Sequence, residues 1–216
     1  MASSNSDSAP ATRGSVIRWA GHYDQVVSLL MLGRRARLRT MTIALAHIQA
    51  GDRVLEVGCG TGDVAIAACA PAGPHGAVSG IDAGTEMIAV ARAKAAHAGV
   101  AVDFRVEPIE ALTYADATFD IVLSSLMMHH LPDDLKRQGL AEIARVLKPG
   151  GRLLIVDVKR PSTHLGRGLN VLMLHGRLKT AIQDLPAMLN DAGYIEIETG
   201  ATEFGMLGFV RAQTRA

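Results

Sequence analysis

The sequence of 216 residues has few aromatic residues, few cysteines and almost no net charge. Aromatic residues make up 4% of the chain and the formal net charge is +1, so neither a base-stacking surface nor a basic field indicates nucleic acid as a partner. The two cysteines, Cys59 and Cys69, have the spacing of neither a zinc site nor a CxxC redox pair. We therefore predict free thiols in a reducing compartment.

Long apolar runs are also lacking. No run approaches the roughly 18 residues that cross a bilayer, and residues 1–14, rich in Ser, Ala and Asp, have no apolar stretch typical of a signal peptide. We predict a cytoplasmic protein in which residues 1–14 form a disordered tail. Hydrophobic residues nevertheless make up 49% of the chain, which is enough for one core in a single domain over residues 15–216.

That domain is predicted to have a helical N-terminal cap (15–50), a core (51–158), a cover (159–183) and a C-terminal helix with an edge hairpin (184–216). In the core, branched apolar runs predict strands near 53–57, 77–82, 101–106, 119–125 and 151–158, and helical patterns predict helices near 62–70, 84–98, 134–147 and 184–192. This alternation is typical of an α/β fold with a mostly parallel sheet. Residues 196–199 and 206–212 follow each other too closely for a crossover and predict an antiparallel hairpin.

A glycine loop follows the first predicted strand. Glycines occupy positions 58, 60 and 62, Glu56 precedes them, and Asp82 ends the second strand, where a carboxylate can bind ribose hydroxyls. The dinucleotide fingerprint is GxGxxG, with a pyrophosphate at the helix N-terminus. Here the loop is GxGxG, and Glu56 would repel a phosphate but suits a cationic ligand such as S-adenosylmethionine.

Four motifs together resemble the class I S-adenosylmethionine-dependent methyltransferases over about residues 50–160. They are Val54-Leu55-Glu56-Val57-Gly58-Cys59-Gly60-Thr61-Gly62, Asp82, Phe119-Asp120-Ile121-Val122-Leu123-Ser124-Ser125 and Leu147-Lys148-Pro149-Gly150-Gly151-Arg152-Leu153. The resemblance implies a Rossmann-like, doubly wound sheet of seven strands with an antiparallel last strand. It implies S-adenosylmethionine as cofactor and S-adenosylhomocysteine as product. The cofactor contacts that it implies are Glu56, Gly58, Cys59, Gly60 and Gly62 at the loop, Asp82 and Ala83 at the ribose, and Met87 at the adenine. Glu56 would either hold the shape of the loop or face the ammonium through water, and core packing is the alternative for Met87.

One position departs from the family pattern. Pro108 stands where the family often has an acid that binds the adenine amino group, and proline offers neither a carboxylate nor a donor. The amino group is then left to Glu107, to Glu110 or to water. Pro108 and Ile109 stay assigned to the cofactor site, where the resemblance still allows the backbone N–H of Ile109 to reach the adenine ring.

The segment after the fourth strand holds the catalytic candidates. Ser124 and Ser125 are predicted to face the cofactor. His129 is predicted to act as general base, with His130 second, because imidazole accepts protons near neutrality. Packing or helix capping is the alternative for both histidines. Their adjacent side chains diverge and lack an acid–His spacing, so we predict no metal site.

Two segments are predicted to cover the site. Tyr23 looks like the tyrosine that covers the sulfonium in the quinone- and phospholipid-methylating branch, so we assign it to cofactor binding and catalysis; packing on the sheet is the alternative. The basic cluster Arg34, Arg35, Arg37 and Arg39 predicts a solvated helix face or a ligand contact. Residues 160–183 are apolar and basic, and an acceptor pocket, a homodimer contact, a peripheral membrane contact and core packing all stay open.

These features favour transfer of a methyl group from S-adenosylmethionine to a small apolar or aromatic acceptor by in-line displacement. Methylation of a phospholipid headgroup amine and a non-catalytic S-adenosylmethionine-binding protein are the alternatives. The GxGxG loop with Glu56 disfavours a nicotinamide oxidoreductase.

Overall fold

The computed structural model describes residues 12, 14, 33–160 and 181–216. The first helix of the predicted cap, Tyr23, and residues 161–180 of the predicted cover lie outside this part of the chain. The described chain opens with helix α1, Arg35–Ala46, which is the second helix of the predicted cap. It ends at His47, whose φ of 50° is left-handed.

Strands and helices then alternate as the sequence predicts. In chain order they are β1 (Arg53–Val57), α2 (Asp63–Ala72), β2 (Ala77–Asp82), α3 (Thr85–Ala98), β3 (Asp103–Val106), β4 (Phe119–Ser125), α4 (Asp133–Val146), β5 (Leu147–Val158), α5 (Leu185–Asp191), β6 (Ile195–Ala201) and β7 (Leu207–Gln213). Short 3₁₀ turns span Met128–His130 and Ile182–Asp184. Strand β5 begins before the predicted residue 151, because Leu147 already pairs with Phe119 ahead of a register shift.

The seven strands form one sheet in the order β3-β2-β1-β4-β5-β7-β6. Neighbouring strands from β3 to β5 are parallel, and β7 is antiparallel to both β5 and β6. The predicted seven-stranded sheet with an antiparallel last strand is therefore confirmed. The chain moves outward from β1 to β3 and returns to β4 on the other side of β1, so the loops after β1 and β4 diverge and leave a crevice at their carboxyl ends.

Helices cover both faces of the sheet, as a doubly wound fold requires. On one face Leu55 packs in a cluster with Leu140 and Ile143 of α4. On the other face Val54, the preceding residue of the same strand, packs in a cluster with alanines of α2 such as Ala65. Adjacent strand residues point to opposite faces, so this central strand is apolar on both sides. Glu56 is the exception, and it lies where β1 ends at the crevice.

Candidate active site

A cavity lies at the carboxyl ends of the parallel strands and is walled by the loops that follow β1, β2, β3 and β4. Helix α1 and the two described residues of the N-terminal segment complete it. It brings together most of the predicted cofactor residues: Glu56, Gly58, Cys59, Gly60, Asp82, Ala83, Met87, Pro108 and Ile109. Of the remaining predicted residues, Gly62, Ser124 and His129 belong to other parts of the described structure, and Tyr23 lies outside it.

The glycine loop needs its glycines for two different reasons. Gly58, Gly60 and Gly62 have φ values of 67°, 52° and 81°, which L-residues with side chains rarely adopt. A Cβ on Gly58 would overlap the side chain of Met127, so this glycine lets the post-β4 segment approach the loop. A Cβ on Gly62 would lie 2.7 Å from Cζ of Phe104. Gly62 therefore serves the packing of α2 against β3.

Glu56 bonds to the start of α2 and also lines the cavity. Its side chain is buried, and Oε2 accepts a hydrogen bond of 2.8 Å from the backbone N–H of Ala65 in the first turn of α2. The residue also lines the cavity. Burial raises the pKa of the Glu56 carboxyl well above its usual range, although the bond from Ala65 opposes this shift. A cation in the cavity would favour the ionised form.

Asp82 joins the glycine loop to the end of β2. Its Oδ2 accepts a 2.9 Å hydrogen bond from the N–H of Gly60, and its Oδ1 accepts a 2.8 Å bond from the N–H of Gly84. Burial raises the pKa of Asp82, and the two backbone bonds oppose that shift. Each carboxylate oxygen has a second lone pair, so the side chain can still accept two hydroxyl groups.

At the other end of the cavity, Met87 is both a core residue and a lining residue. Its side chain is only 2% exposed, and it faces the cavity together with Pro108 and Ile109. Thr12 and Gly14, which fall in the predicted disordered tail, line this cavity as well. The composition of residues 1–14 does not predict that these two residues line the cavity.

The structure differs from the prediction at the end of β4. Ser124 is 1% exposed and its Oγ has no hydrogen-bond partner among the described residues, whereas Ser125 lines the cavity. The two side chains point to opposite faces because successive strand residues alternate. Of the two serines predicted to face the cofactor, Ser125 thus lines the cavity and Ser124 does not.

The two histidines are also placed differently from the prediction. His129 Nδ1 lies 2.6 Å from Oδ1 of buried Asp157, and Oδ2 of the same carboxylate accepts the backbone N–H of His129 at 3.1 Å. It is His130 that lines the cavity, with its ring centroid 4.0 Å from that of His129. The catalytic role of either histidine stays a prediction.

Helix α1 contributes basic side chains to the cavity. Arg35 and Arg39 line it, Arg35 forms an ion pair with Asp63, and Arg37, on the exposed side, pairs with Glu203. The basic cluster is therefore divided between a cavity face and a solvent face. Leu38, on the same helix, is buried and packs in the hydrophobic cluster that contains Cys59 and Val64. This packing holds α1 beside the glycine loop.

The residues of this cavity fit S-adenosylmethionine. The glycine loop presents bare backbone where a side chain would collide with Met127. The carboxylates of buried Glu56 and half-buried Asp82 suit a cationic and phosphate-free ligand, and Asp82 keeps free lone pairs for a ribose. In the described ranges, no three His, Cys, Asp or Glu side chains form a group that could hold a metal ion. No helix within those ranges is long and apolar enough to cross a membrane.

Comparison with known proteins agrees with this geometry. A family model described as "Methyltransferase domain" matches residues 54–151. The chain is 36% identical over 148 residues to the ubiquinone/menaquinone biosynthesis C-methyltransferase of Geobacter sulfurreducens, a match that covers 68% of this chain and 57% of that protein. It is 35% identical over 167 residues to the demethylmenaquinone methyltransferase of Lactiplantibacillus plantarum, which covers 74% of this chain and 70% of the relative.

Among solved structures, a Haemonchus contortus phosphoethanolamine N-methyltransferase 2, in complex with phosphomonomethylethanolamine and S-adenosylhomocysteine, superposes with a TM-score of 0.69. The match is 19% identical and covers 85% of this chain and 53% of that one. At this identity the likeness shows the fold alone. The chain spans less than two thirds of the length of the Geobacter relative.

Proposed function

Because this chain belongs to the class I S-adenosylmethionine-dependent methyltransferases, we propose that it methylates a ring carbon of a small hydroquinone. Two observations support this acceptor class. The relatives at 35–36% identity are named for methylation in ubiquinone and menaquinone biosynthesis. The post-β4 segment also gives the cavity an apolar wall, formed by Leu126, Met127 and Leu131, against which a flat ring can lie.

The proposal depends mainly on one observation: a polar wall and an apolar wall meet in the same cavity. Glu56, Asp82 and the glycine loop form a polar wall suited to a cationic cofactor, and the apolar post-β4 segment faces them. Gly58 and Met127 are in contact, so the two walls meet directly beside the loop. A methyl donor and an apolar acceptor would be held next to each other there.

S-adenosylmethionine, when bound, supplies a methyl group that the sulfonium already activates for attack. The chain therefore has to orient the acceptor, exclude water and remove a proton. Glu56, the glycine loop and Asp82 would hold the cofactor, and the 126–131 segment would hold the acceptor ring.

We assign the proton to a ring nitrogen of His130, because its side chain lines the cavity next to the apolar wall. A hydroquinone ring carbon becomes a better nucleophile when its hydroxyl loses a proton, and imidazole is suited to accept that proton near neutral pH. The bond from the methyl group to sulfur would break as the new carbon–carbon bond forms. The methylated ring carbon would then give up its hydrogen as a proton to the ring oxygen, which restores the aromatic hydroquinone. His129, fixed by Asp157 through both its ring and its backbone, would position His130. We therefore propose His130 as the base in place of His129, which the sequence favours.

The test is transfer of a tritiated methyl group from S-adenosylmethionine to a reduced demethylnaphthoquinone that is extracted into organic solvent. His130→Gln is expected to lower kcat by about 10²- to 10⁴-fold while the affinity for S-adenosylhomocysteine stays unchanged. His75→Gln, at an exposed position away from the cavity, is the matched control. Transfer to phosphoethanolamine in place of the hydroquinone would favour the headgroup alternative, and cofactor binding without any transfer would favour the non-catalytic one.

A further inference from the structure

Asp63 connects several elements around the glycine loop. It is the first residue of α2, and each of its carboxylate oxygens meets a cation. Oδ2 pairs with the guanidinium of Arg35 on α1, and Oδ1 accepts a 2.9 Å hydrogen bond from Nζ of Lys94 on α3. The same ammonium donates a 2.8 Å bond to Oγ1 of Thr61 in the loop. Lys94 thus holds the residues on either side of Gly62, and Asp63 joins α1 to the same network.

This network forms part of the cavity wall. Arg35, Thr61 and Asp63 all line the cavity, and Thr61 is buried. The side chains of Arg35, Asp63 and Lys94 are between 23% and 32% exposed, so water screens both ion pairs and each pair adds little to the stability of the fold. We therefore expect the main consequence of the network at the ligand site rather than in folding.

Helix α1 is attached differently along its length. Its inward side buries Leu38, Thr42 and Ala46, and burial of apolar side chains is a strong attachment. Residues 35–37 in its first turn are not buried, and this turn meets the loop region through the ion pair between Arg35 and Asp63. The start of α1 can therefore shift relative to the glycine loop at a smaller cost than the rest of the helix.

We propose that Asp63 is a positioning residue for the cofactor: its carboxylate holds the start of α1 against the glycine loop, so that cofactor binding and docking of α1 favour each other. Two events that stabilise the same arrangement of one wall promote each other to the same extent. The inference rests on the cofactor site of the proposed function and not on its acceptor. Asp63 is not among the residues that the sequence predicts to contact the cofactor.

A double-mutant cycle tests the coupling, with S-adenosylhomocysteine as the ligand and isothermal titration calorimetry as the measurement. Arg35→Gln and Asp63→Asn are each expected to weaken binding by roughly fivefold to tenfold, at the lower end of coupling between sites. Because both substitutions remove the same contact, the double variant should bind within about twofold of either single variant. Independent effects would instead multiply to a loss of about 25-fold to 100-fold.

The ion pair between Arg37 and Glu203 provides matched controls, because it joins the same helix to the rest of the protein on the side that faces solvent. Arg37→Gln and Glu203→Gln should bind S-adenosylhomocysteine as tightly as the wild type. Arg35→Lys keeps a cation beside Asp63 and should recover most of the affinity that is lost in Arg35→Gln. Asp63→Ala, which suits a helix, replaces Asp63→Asn if circular dichroism shows that the amide variant does not fold.

Hydrogen exchange gives a readout that a purely structural role would not change. In the wild type, saturating S-adenosylhomocysteine should slow amide exchange in the first turn of α1, because the occupied loop favours the docked helix. In Asp63→Asn, also at saturating ligand, this slowing should be lost. The slowing at loop residues 58–62 should remain in both proteins, since the ligand still occupies the loop.

The outcomes separate this inference from the proposed function. Weaker binding in Arg35→Gln with unchanged binding in Asp63→Asn would mean that Arg35 contacts the cofactor directly, and it would overturn the role of Asp63. Independent effects in the double variant, or equal slowing of α1 in Asp63→Asn and the wild type, would overturn it as well. A wild-type protein that does not bind S-adenosylhomocysteine would instead overturn the proposed function.

Discussion

Replacement of Gly58 by alanine tests the contact between the glycine loop and the post-β4 segment. Gly58 has a φ of 67°, and a Cβ there would overlap Cγ of Met127 and lie 2.7 Å from its Cβ. The left-handed backbone costs a residue with a side chain about 1–2 kcal/mol. Displacement of Met127, whose Cβ is fixed to the backbone, adds about 1–3 kcal/mol. We expect the free energy of unfolding to fall by about 2–5 kcal/mol in total.

Gly99→Ala is the control for the backbone contribution. Gly99 ends α3 with a φ of 68°, and a Cβ there would meet nothing within 4 Å. This variant should lose only about 1–2 kcal/mol, so the difference between the two variants isolates the contact with Met127. Urea denaturation measures both values. Calorimetry with S-adenosylhomocysteine should show weaker binding for Gly58→Ala alone, because Met127 lines the cavity.

The double variant Gly58→Ala/Met127→Ala completes the test. Removal of the Met127 side chain beyond Cβ should relieve the overlap with Cγ, while the 2.7 Å approach to Cβ stays. The combined destabilisation should therefore be smaller than the sum of the two single variants by about 1 kcal/mol or more. The reasoning is refuted if Gly58→Ala proves no more destabilising than Gly99→Ala, or if the two single effects simply add.

Two other predictions concern buried carboxylates. Burial raises the pKa of Glu56 in the folded protein above its ordinary value of 4.5. Proton binding at Glu56 therefore favours the folded state. This stabilisation is fully present below the pKa of the unfolded chain and is lost as the pH rises through the pKa of the folded protein. Glu56→Gln should therefore flatten the fall in unfolding free energy as the pH rises above 4.5 in urea titrations, and an unchanged slope would count against this account. Asp82, with a pKa raised in the same direction, remains in both proteins. Asp157→Asn should destabilise by about 1.5–3 kcal/mol, because it removes the charged acceptor that holds His129. Asp191→Asn, at an exposed ion pair with Arg137, should cost less than about 1 kcal/mol, and equal thermal shifts for the two would argue against a structural role for Asp157.

Features carried by local pattern could be predicted from the sequence. The strand β1, the left-handed glycines 58, 60 and 62 and the carboxylate of Asp82 lie within short segments whose residue types admit few conformations. The antiparallel end of the sheet followed from the short spacing between β6 and β7. In each case the deciding interaction is between residues close in sequence.

The sequence does not predict which of two adjacent residues points into the cavity. Ser124 and Ser125 are chemically equivalent in sequence, and only the register of β4 against β5 decides which one faces the cavity. Leu126 has a φ of 55°, a left-handed conformation that residues with side chains rarely adopt and that the sequence does not predict.

Contacts between residues far apart in the chain could not be predicted from sequence patterns either. Thr12 and Glu110 are 98 residues apart in the chain, and only the fold brings them together. Whether the basic residues of α1 face solvent or the cavity likewise depends on how Leu38 docks that helix beside the glycine loop.

The central claim is that the carboxylates beside the GxGxG loop select a cofactor that has a cationic amino acid part and no phosphate. Calorimetric titration of the wild-type protein with S-adenosylhomocysteine and with NAD⁺ tests it most directly. The account predicts that S-adenosylhomocysteine binds at least about tenfold more tightly, a difference of about 1.4 kcal/mol. Equal or tighter binding of NAD⁺ would contradict it.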